Sequence, residues 1–327
     1  MIYWTLDLLQ RFSVDDVVLG VNYLAEPLRA EVGKRYGGMR IEYSLEDLPL
    51  GTAGPIRLAC QKIAPEGTFL AMNGDVLADI DLAKMQQHHE KTTATITDAL
   101  HEVSDPHRFG VVELDSNGLI RRFVEKPQPR ETRSHLVNAG IYLIEPQVLR
   151  MIPPKRKVSL EREIFPRLTE KGKLGGFPFS GFWFDIGSLT DYRTANFDLL
   201  RRYYRRRGKR HVNATIKPPY FLGKASKIED GASVGPHAII GKNGLIGRKA
   251  HVSESILFDD VTVGEGSIVL GAIVASNVTI GKHSKIDPGS VISPNVQIGD
   301  NIRIGTNAII HPFKEITGNV RLGGHVM

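Results

Sequence analysis

What this chain has little of narrows its class before anything it contains. It carries one cysteine, Cys60, so neither a disulfide framework nor a cysteine-rich zinc site is available, and a reducing compartment fits. No apolar run approaches the roughly 20 residues needed to span a bilayer. The opening segment, Met1 to Asp7, carries an acid where a secretory leader carries bases. A cytoplasmic protein with no membrane partner is the expectation. The 327 residues suffice for two domains with cores of their own. Fractions of 41% hydrophobic and 24% charged residues are those of an ordinary globular chain.

The net charge of +6 raises nucleic acid as a partner. Much of that excess lies in one run, Arg201 to Arg210, which reads as a solvated helix end or linker. No nucleic-acid recognition is expected.

What is present is a repeat. From Val274 an aliphatic residue returns every six positions, at Ile280, Ile286, Ile292, Ile298, Ile304 and Ile310, and Gly281, Gly299 and Gly305 follow three of them. An earlier register runs through Ile228, Val234, Ile240, Ile246 and Val252, then resumes at Leu257, Val263 and Val269 after a one-residue slip. Period six suits neither a helix nor a simple amphipathic strand. It suits a triangular solenoid in which the aliphatic residue points inward and the glycine or small polar residue after it forms the corner. The repeats predict about five coils. His237, His251, His283 and His311 offer an acyl-transfer histidine, but none has an evident partner constellation, so surface or stacking roles are expected. A solenoid does not define a function by itself, and an oligomerisation and regulatory platform is the preferred reading.

Residues 1–197 alternate short apolar runs with helical patterns, which predicts βαβ units and a largely parallel sheet. Ile2, Leu6, Leu9 and Phe12 predict an opening helix; strands are expected at Val17–Val21, Phe69–Met72, Ala94–Thr97, Gly110–Val112, Gly140–Ile144 and Phe182–Phe184. Asp75 and Asp185 follow two of these strands, and in open α/β sheets ligands gather at the carboxyl ends of strands. Two such carboxylates suit one hard divalent cation. Each alone reads more often as a turn or capping residue.

Six segments occur in order: Leu50-Gly-Thr-Ala-Gly54, Asn73-Gly-Asp75, Phe109-Gly-Val-Val112, Glu125-Lys-Pro127, Asn138-Ala-Gly-Ile-Tyr142 and Phe184-Asp-Ile-Gly187. In order and spacing they resemble the NDP-sugar pyrophosphorylases, the sugar-1-phosphate nucleotidyltransferases, and among these the mannose-1-phosphate guanylyltransferases with a hexapeptide tail. The resemblance implies an α/β fold, a Rossmann-like nucleotidyltransferase sheet lacking its first strand, followed by a left-handed parallel β-helix. The domains would be 1–197, a basic helical linker 198–216, and the β-helix 217–327. It implies nucleotidyl transfer from an NTP, with GTP favoured, to a sugar-1-phosphate, with mannose-1-phosphate favoured. Mg2+ would be held by Asp75 and Asp185. Gly51, Thr52 and Gly54 would lie against the nucleobase. Glu125 would accept from sugar hydroxyls, Lys126 would neutralise the sugar phosphate, and Asn73, Gly110 and Asn138 would line the substrate. A homo-oligomer, or pairing with a related subunit through the β-helix, is expected.

The family's Gly-Gly-x-Gly-Thr-Arg phosphate loop has no counterpart in these residues; the glycines at 37–38 and 175–176 lack the Thr-Arg continuation. Met1 aligns with the helix that follows that loop. The family's first strand is interior, so a chain starting at Met1 is expected to leave two strand edges unpaired and apolar side chains uncovered. Either Met1 is an internal methionine of a longer protein or the chain is a truncated paralogue. Little pyrophosphate release is expected from the 327 residues alone. The alternative function is a non-catalytic regulatory or assembly subunit that binds sugar nucleotides.

Overall fold

The computed structural model describes residues 1–22, 25–204 and 213–327, in two compact units, Met1–Gly187 and Ser188–Met327. In the first unit, helix α1 (Ile2–Arg11) forms as its spacing predicts and buries Leu6, Leu8 and Leu9. Strand β1 (Asp16–Val21), helix α2 (Ala25–Val32), and strands β2 (Arg35–Tyr36) and β3 (Met39–Leu45) follow, and the three strands pair in the order β1-β3-β2. Next come helix α3 (Gly54–Ile63), strands β4 (Phe69–Met72) and β5 (Val76–Ala78), and helix α4 (Leu82–Thr92). Asp81 caps α4 by accepting from the Lys84 amide, which satisfies one of the free donors of its first turn. Strands β6 (Ile96–Glu102), β7 (Gly110–Leu114), β8 (Ile120–Glu125) and β9 (Leu136–Ile144) lead to helix α5 (Phe165–Glu170) and strands β10 (Leu174–Pro178) and β11 (Trp183–Asp185).

The main sheet runs β10-β6-β9-β7-β8, with β4 also on β9. It is mixed, where a largely parallel sheet was expected: β10 is parallel to β6, but β9 is antiparallel to β4, β6 and β7, and β7 to β8. The tight turn between β7 and β8, closed by Asp115 N donating to Leu119 O at 2.9 Å, permits only an antiparallel pair. Strand direction over longer separations is a property of packing and leaves no periodicity to read.

Strand β9 is the centre of this unit. Ala139, Ile141 and Leu143 point into a core shared with Leu6 and Met85, while Tyr142 and Ile144 point into a second core with Phe165 and Ile96. One edge of β9 lies on β6; the other is divided, meeting β7 at Val137 and β4 from Ile141 to Ile144. The sheet therefore forks at Asn138–Gly140. Strand β1 pairs only with β3, and β4 only with β9, among the described residues. Val17, Val18, Leu19 and the whole of Phe69–Met72 are half-buried, whereas the corresponding residues of β9 are buried.

The second unit opens with helix α6 (Leu189–Tyr203), capped by the Ser188 side chain on Asp191 N. The unit boundary falls ahead of the expected 197 because this helix packs on the solenoid: Arg193 Nη1 donates to Gly271 O at 2.8 Å, and Tyr192 stacks on Phe258 at 6.5 Å. Of the expected basic linker, 198–203 continue α6, where Arg201 and Arg202 pair with Asp198; 205–212 lie outside the described residues.

The solenoid runs from Thr215–Ile216 to His325–Val326 as three parallel sheets of six, seven and six strands. That is about six coils instead of five. The added coil opens with strands at Thr215–Ile216 and Tyr220–Leu222, ahead of Ile228, where the sequence register was begun. Val274, Ile280, Ile286 and Ile292 are fully buried in the inward stack. The slip at Leu257 is a shortened coil: Val234 pairs with Val252, but Ile240 pairs with Leu257.

The glycine after the aliphatic residue has a different cause from the one expected. Gly281 is absent from the left-handed region, but a Cβ on it would stand 2.5 Å from the Gly299 carbonyl carbon in the next coil. Close stacking of coils demands the glycine. The left-handed corners fall at residues such as Asn277 (φ 60°), Asn295 (φ 61°) and Asn301 (φ 57°), where a short amide tolerates that backbone. The histidines take local roles. His237 packs on Phe197 at 5.6 Å, His251 Nε2 lies 3.2 Å from Ser253 Oγ, and His311 faces His325 at 6.3 Å. The ring of His283 occupies the space a Cβ on Gly266 would need. Among the described residues no helix is long and apolar enough to cross a membrane.

Candidate functional site

The two aspartates meet on a two-stranded ribbon. Strands β5 and β11 pair antiparallel with Asp185 opposite Val76, and Ile186 N donates to Asp75 O at 3.0 Å, so both carboxylates leave the same end. Ribbon and sheet are joined by Trp183 Nε1, which donates to Ala139 O at 2.9 Å. Asp75 is exposed and Asp185 half-buried. No group of three or more His, Cys, Asp or Glu side chains placed to hold a metal occurs among the described residues.

Beside this ribbon lies the fork in the sheet. The β6–β9 register jumps between Asp98 and Leu100, and Gly140 occupies the left-handed region at φ 71°. A bulge of this kind re-aims side chains. The carbonyl freed there accepts from Asn73 N at 2.8 Å, and Asn138 Oδ1 accepts from Gly140 N at 2.8 Å. A Cβ on Gly140 would stand 2.6 Å from Asn73 Nδ2. Asn73 and Asn138 thus converge on one glycine.

The β7–β8 hairpin supplies the other prong. Gly110 pairs with Glu125, and Val111 pairs with Val137, which sets Gly110 level with Asn138. A Cβ on Gly110 would lie 2.5 Å from Phe123 Cζ and 3.0 Å from Glu125 Oε2. Burial foremost, then the charge of Glu161, raises the Glu125 carboxyl above its usual range, against the opposing pull of Lys126 and Arg162. Lys126 is exposed at φ 51°, with its amide donating to Phe109 O at 3.0 Å.

The loop 50–54 is bound to the segment 156–161. Val158 N donates to Leu50 O at 2.9 Å and Ala53 N to Val158 O at 3.0 Å. Gly51, at φ 80°, leaves no room for a Cβ, which would stand 2.4 Å from Val158 O. One on Gly54 would stand 2.4 Å from Leu50 Cβ. Thr52 Oγ1 donates to Glu161 Oε2 at 2.6 Å and accepts from Leu160 N at 2.8 Å. These contacts account for both glycines and for the threonine as packing residues, and they tie the loop to Glu161, whose charge acts on Glu125.

Three members of this cluster escaped the sequence reading: Glu161, Asp98 and Tyr142. Tyr142 ends a quoted segment, and Asp98 is a charge inside the otherwise uncharged run Ile96-Thr-Asp-Ala-Leu100, so each carried a signal. Glu161 carried none, since its partner Thr52 is over a hundred positions away.

Residues 1–202 match the family profile described as Nucleotidyl transferase, and residues 216–326 match the one described as GMPPB C-terminal domain. The chain is 33% identical over 297 residues to the probable mannose-1-phosphate guanylyltransferase 2 of Arabidopsis thaliana, covering 88% of this chain and 79% of that one. It is 32% identical over 268 residues to the mannose-1-phosphate guanylyltransferase of Mycobacterium tuberculosis, covering 79% and 70%. Among solved structures, a putative glucose-1-phosphate thymidylyltransferase from Bacillus anthracis shares the fold with a TM-score of 0.55 at 22% identity, over 64% of this chain and 84% of that one. The match spans the forked sheet and its ribbon together, and on that ground the chain belongs to the nucleotidyl transferase family.

Proposed function

We propose that the protein transfers a guanylyl group from GTP to mannose-1-phosphate, giving GDP-mannose and pyrophosphate. The observation that carries this reading is the convergence of Asn73, Asp75, Gly110, Glu125, Asn138 and Asp185 around the fork of β9, in a chain whose relatives bear that name.

An oxygen of the sugar phosphate attacks the α-phosphorus in line; the new P–O bond forms as the bond to pyrophosphate breaks. No covalent enzyme intermediate is needed, so positioning and charge neutralisation carry the rate. The one cysteine agrees with this. Cys60 is buried, and burial pushes its thiol up to about 11, which leaves it unreactive. Asp75 and Asp185, two carboxylates with no third such ligand grouped with them among the described residues, fit a hard divalent cation that completes its shell with phosphate oxygens and water. Mg2+ is the ion we assign to them, supplying charge stabilisation of the transferring phosphoryl group when bound. Lys126 neutralises the sugar phosphate, Glu125 accepts from a sugar hydroxyl, and Asn73, Gly110 and Asn138 line the sugar. The loop of Gly51, Thr52 and Gly54 lies against guanine. The cytoplasm is the proposed compartment, and the solenoid the surface for self-association or for pairing with a related subunit.

The test is pyrophosphate release from GTP and mannose-1-phosphate with Mg2+, run beside calorimetric binding of GDP-mannose. Turnover supports the reading. Binding without turnover supports the regulatory-subunit alternative, and the absence of both overturns the assignment.

A further inference from the structure

The two carboxylates assigned to the cation sit on different stretches of chain, yet both stretches are pinned to the fork at one place. Asn73 N donates to Gly140 O at 2.8 Å, and Trp183 Nε1 donates to Ala139 O at 2.9 Å. Neighbouring carbonyls of β9 therefore hold the residue two places ahead of Asp75 and the residue two places ahead of Asp185. The pins differ in kind. The first is a backbone amide, which any residue but proline supplies; the second is one indole N–H and depends on the side chain.

Asp185 needs that second pin. Its strand β11 pairs only with β5 among the described residues, in a ribbon of two strands outside the main sheet. Two strands alone are marginally stable in water, so what the ribbon's side chains grip sets its place. Side chains alternate faces along a strand, so Trp183 and Asp185 share one face of β11, with Ala78 and Val76 across the ladder. Turning the strand at Trp183 turns Asp185 with it. The indole is also wedged: its ring lies 5.6 Å from His101 on β6 and meets Phe109 edge-on at 5.2 Å, and His101 packs on Phe179 at 5.1 Å. Phe109 immediately precedes Gly110, so one side chain spaces the ribbon from the fork and from the hairpin arm together. Trp4, the other tryptophan of the chain, meets the ribbon elsewhere, with its Nε1 3.5 Å from Ala78 O and its ring 5.4 Å from Phe182.

We propose that Trp183 is a positioning residue for the cation: its indole N–H, held on Ala139 O, sets Asp185 at the spacing from Asp75 that one divalent ion bridges. The proposal rests on the function above in taking the two aspartates as the metal pair. Mg2+ demands oxygens at about 2.0–2.1 Å in near-octahedral order, so two carboxylates on separate stretches of chain serve it only when their spacing is fixed. Outer-shell groups that orient metal ligands carry about ten- to a hundredfold in metal affinity. Losing the indole N–H therefore weakens the hold on the ion and leaves the sugar and base contacts in place.

The test measures GDP-mannose affinity of the full chain by calorimetry, in Mg2+ and again in EDTA, for wild type, Trp183→Phe and Trp4→Phe, with a melting temperature for each. Trp183→Phe keeps an aromatic ring against His101 and Phe109 and removes the donor. Wild type should bind more tightly in Mg2+ than in EDTA. In Trp183→Phe that gain should fall about tenfold while affinity in EDTA stays within about threefold of wild type, and Trp4→Phe should keep the gain. A tryptophan that only supports the fold lowers affinity equally in both media or in neither. Either result overturns the proposal, as does a wild type that binds with no gain from Mg2+. Should the wild type not bind at all, the function above fails and the pin is decided by amide exchange. The amides of Ile186 and Asp79, which bond across the ribbon to Asp75 O and Phe182 O, should then exchange about fivefold faster in Trp183→Phe than in wild type or Trp4→Phe, and equal rates overturn it.

Discussion

Replacing Gly110 with alanine adds one methyl group at the point where the hairpin prong meets the candidate sugar site. The added Cβ would stand 2.5 Å from Phe123 Cζ and 3.0 Å from Glu125 Oε2. Ordinary carbon contacts are about 3.5–4.0 Å, so the Phe123 ring must retreat by roughly 1 Å. It has little room to do so, because its edge already meets Phe165 at 5.2 Å in a core that includes Tyr142 and Ile120. Overpacking of this kind costs about 1–3 kcal/mol. At about 2–4 °C per kcal/mol for a unit of this size, melting should fall by roughly 2–12 °C. The Glu125 carboxylate shifts with the ring, and an error of about 1 Å at a reacting site can cost a hundredfold. GDP-mannose affinity should therefore fall more than stability implies. Gly74→Ala is the matched control, beside Asp75 with nothing within 4 Å of its Cβ. Calorimetric melting and ligand titration read both effects. If Gly110→Ala melts and binds like Gly74→Ala, the ring and carboxylate are not confined as described.

The remaining tests address other links. Gly281→Ala should lower solenoid stability by about 1–3 kcal/mol through its clash with Gly299, while Gly318→Ala, with open space around it, should be neutral; denaturant melts that show no difference would contradict the stacking account. Asp75→Asn or Asp185→Asn should abolish Mg2+-dependent turnover in a form of the protein that turns over, and unchanged activity in either variant removes that residue from the metal site. Burial makes Asp98 bind its proton more tightly folded than unfolded, so its contribution falls as pH rises from the ordinary aspartate value towards its higher folded value. Asp98→Asn should therefore gain on wild type as pH rises across that window, and urea melts showing a falling or flat difference would refute the burial of a neutral acid.

Much of the fold was legible because it rests on local pattern. The hexad period reports an inward stack repeated at every coil, and Ile280 or Ile286 declares it without any long-range information. The role of Gly281 was not legible, because its constraint is the distance to Gly299 one coil away. Strand direction failed for the same reason: apolar runs locate β4 and β9 but do not orient them. In the candidate site, the ordered segments named most of the residues the sheet gathers. Thr52 and Glu161 meet only through tertiary packing, and Asp98 was visible as a charge in a buried strand, though a single charge does not reveal what it faces.

The divided edge of β9 has a mechanical consequence. Asn73 and Asp75 follow β4, while Gly110, Glu125 and Lys126 ride on the hairpin; the two arms are hinged at one strand, which holds β7 through Val137 and β4 from Ile141 onward. Such an arrangement behaves as tongs. A ligand gripped by one arm leaves the other free to breathe, whereas one whose sugar and phosphates reach both arms closes them on each other. Its two ends then bind more tightly together than either fragment does alone, and the signature is slowed amide exchange along both arms at once.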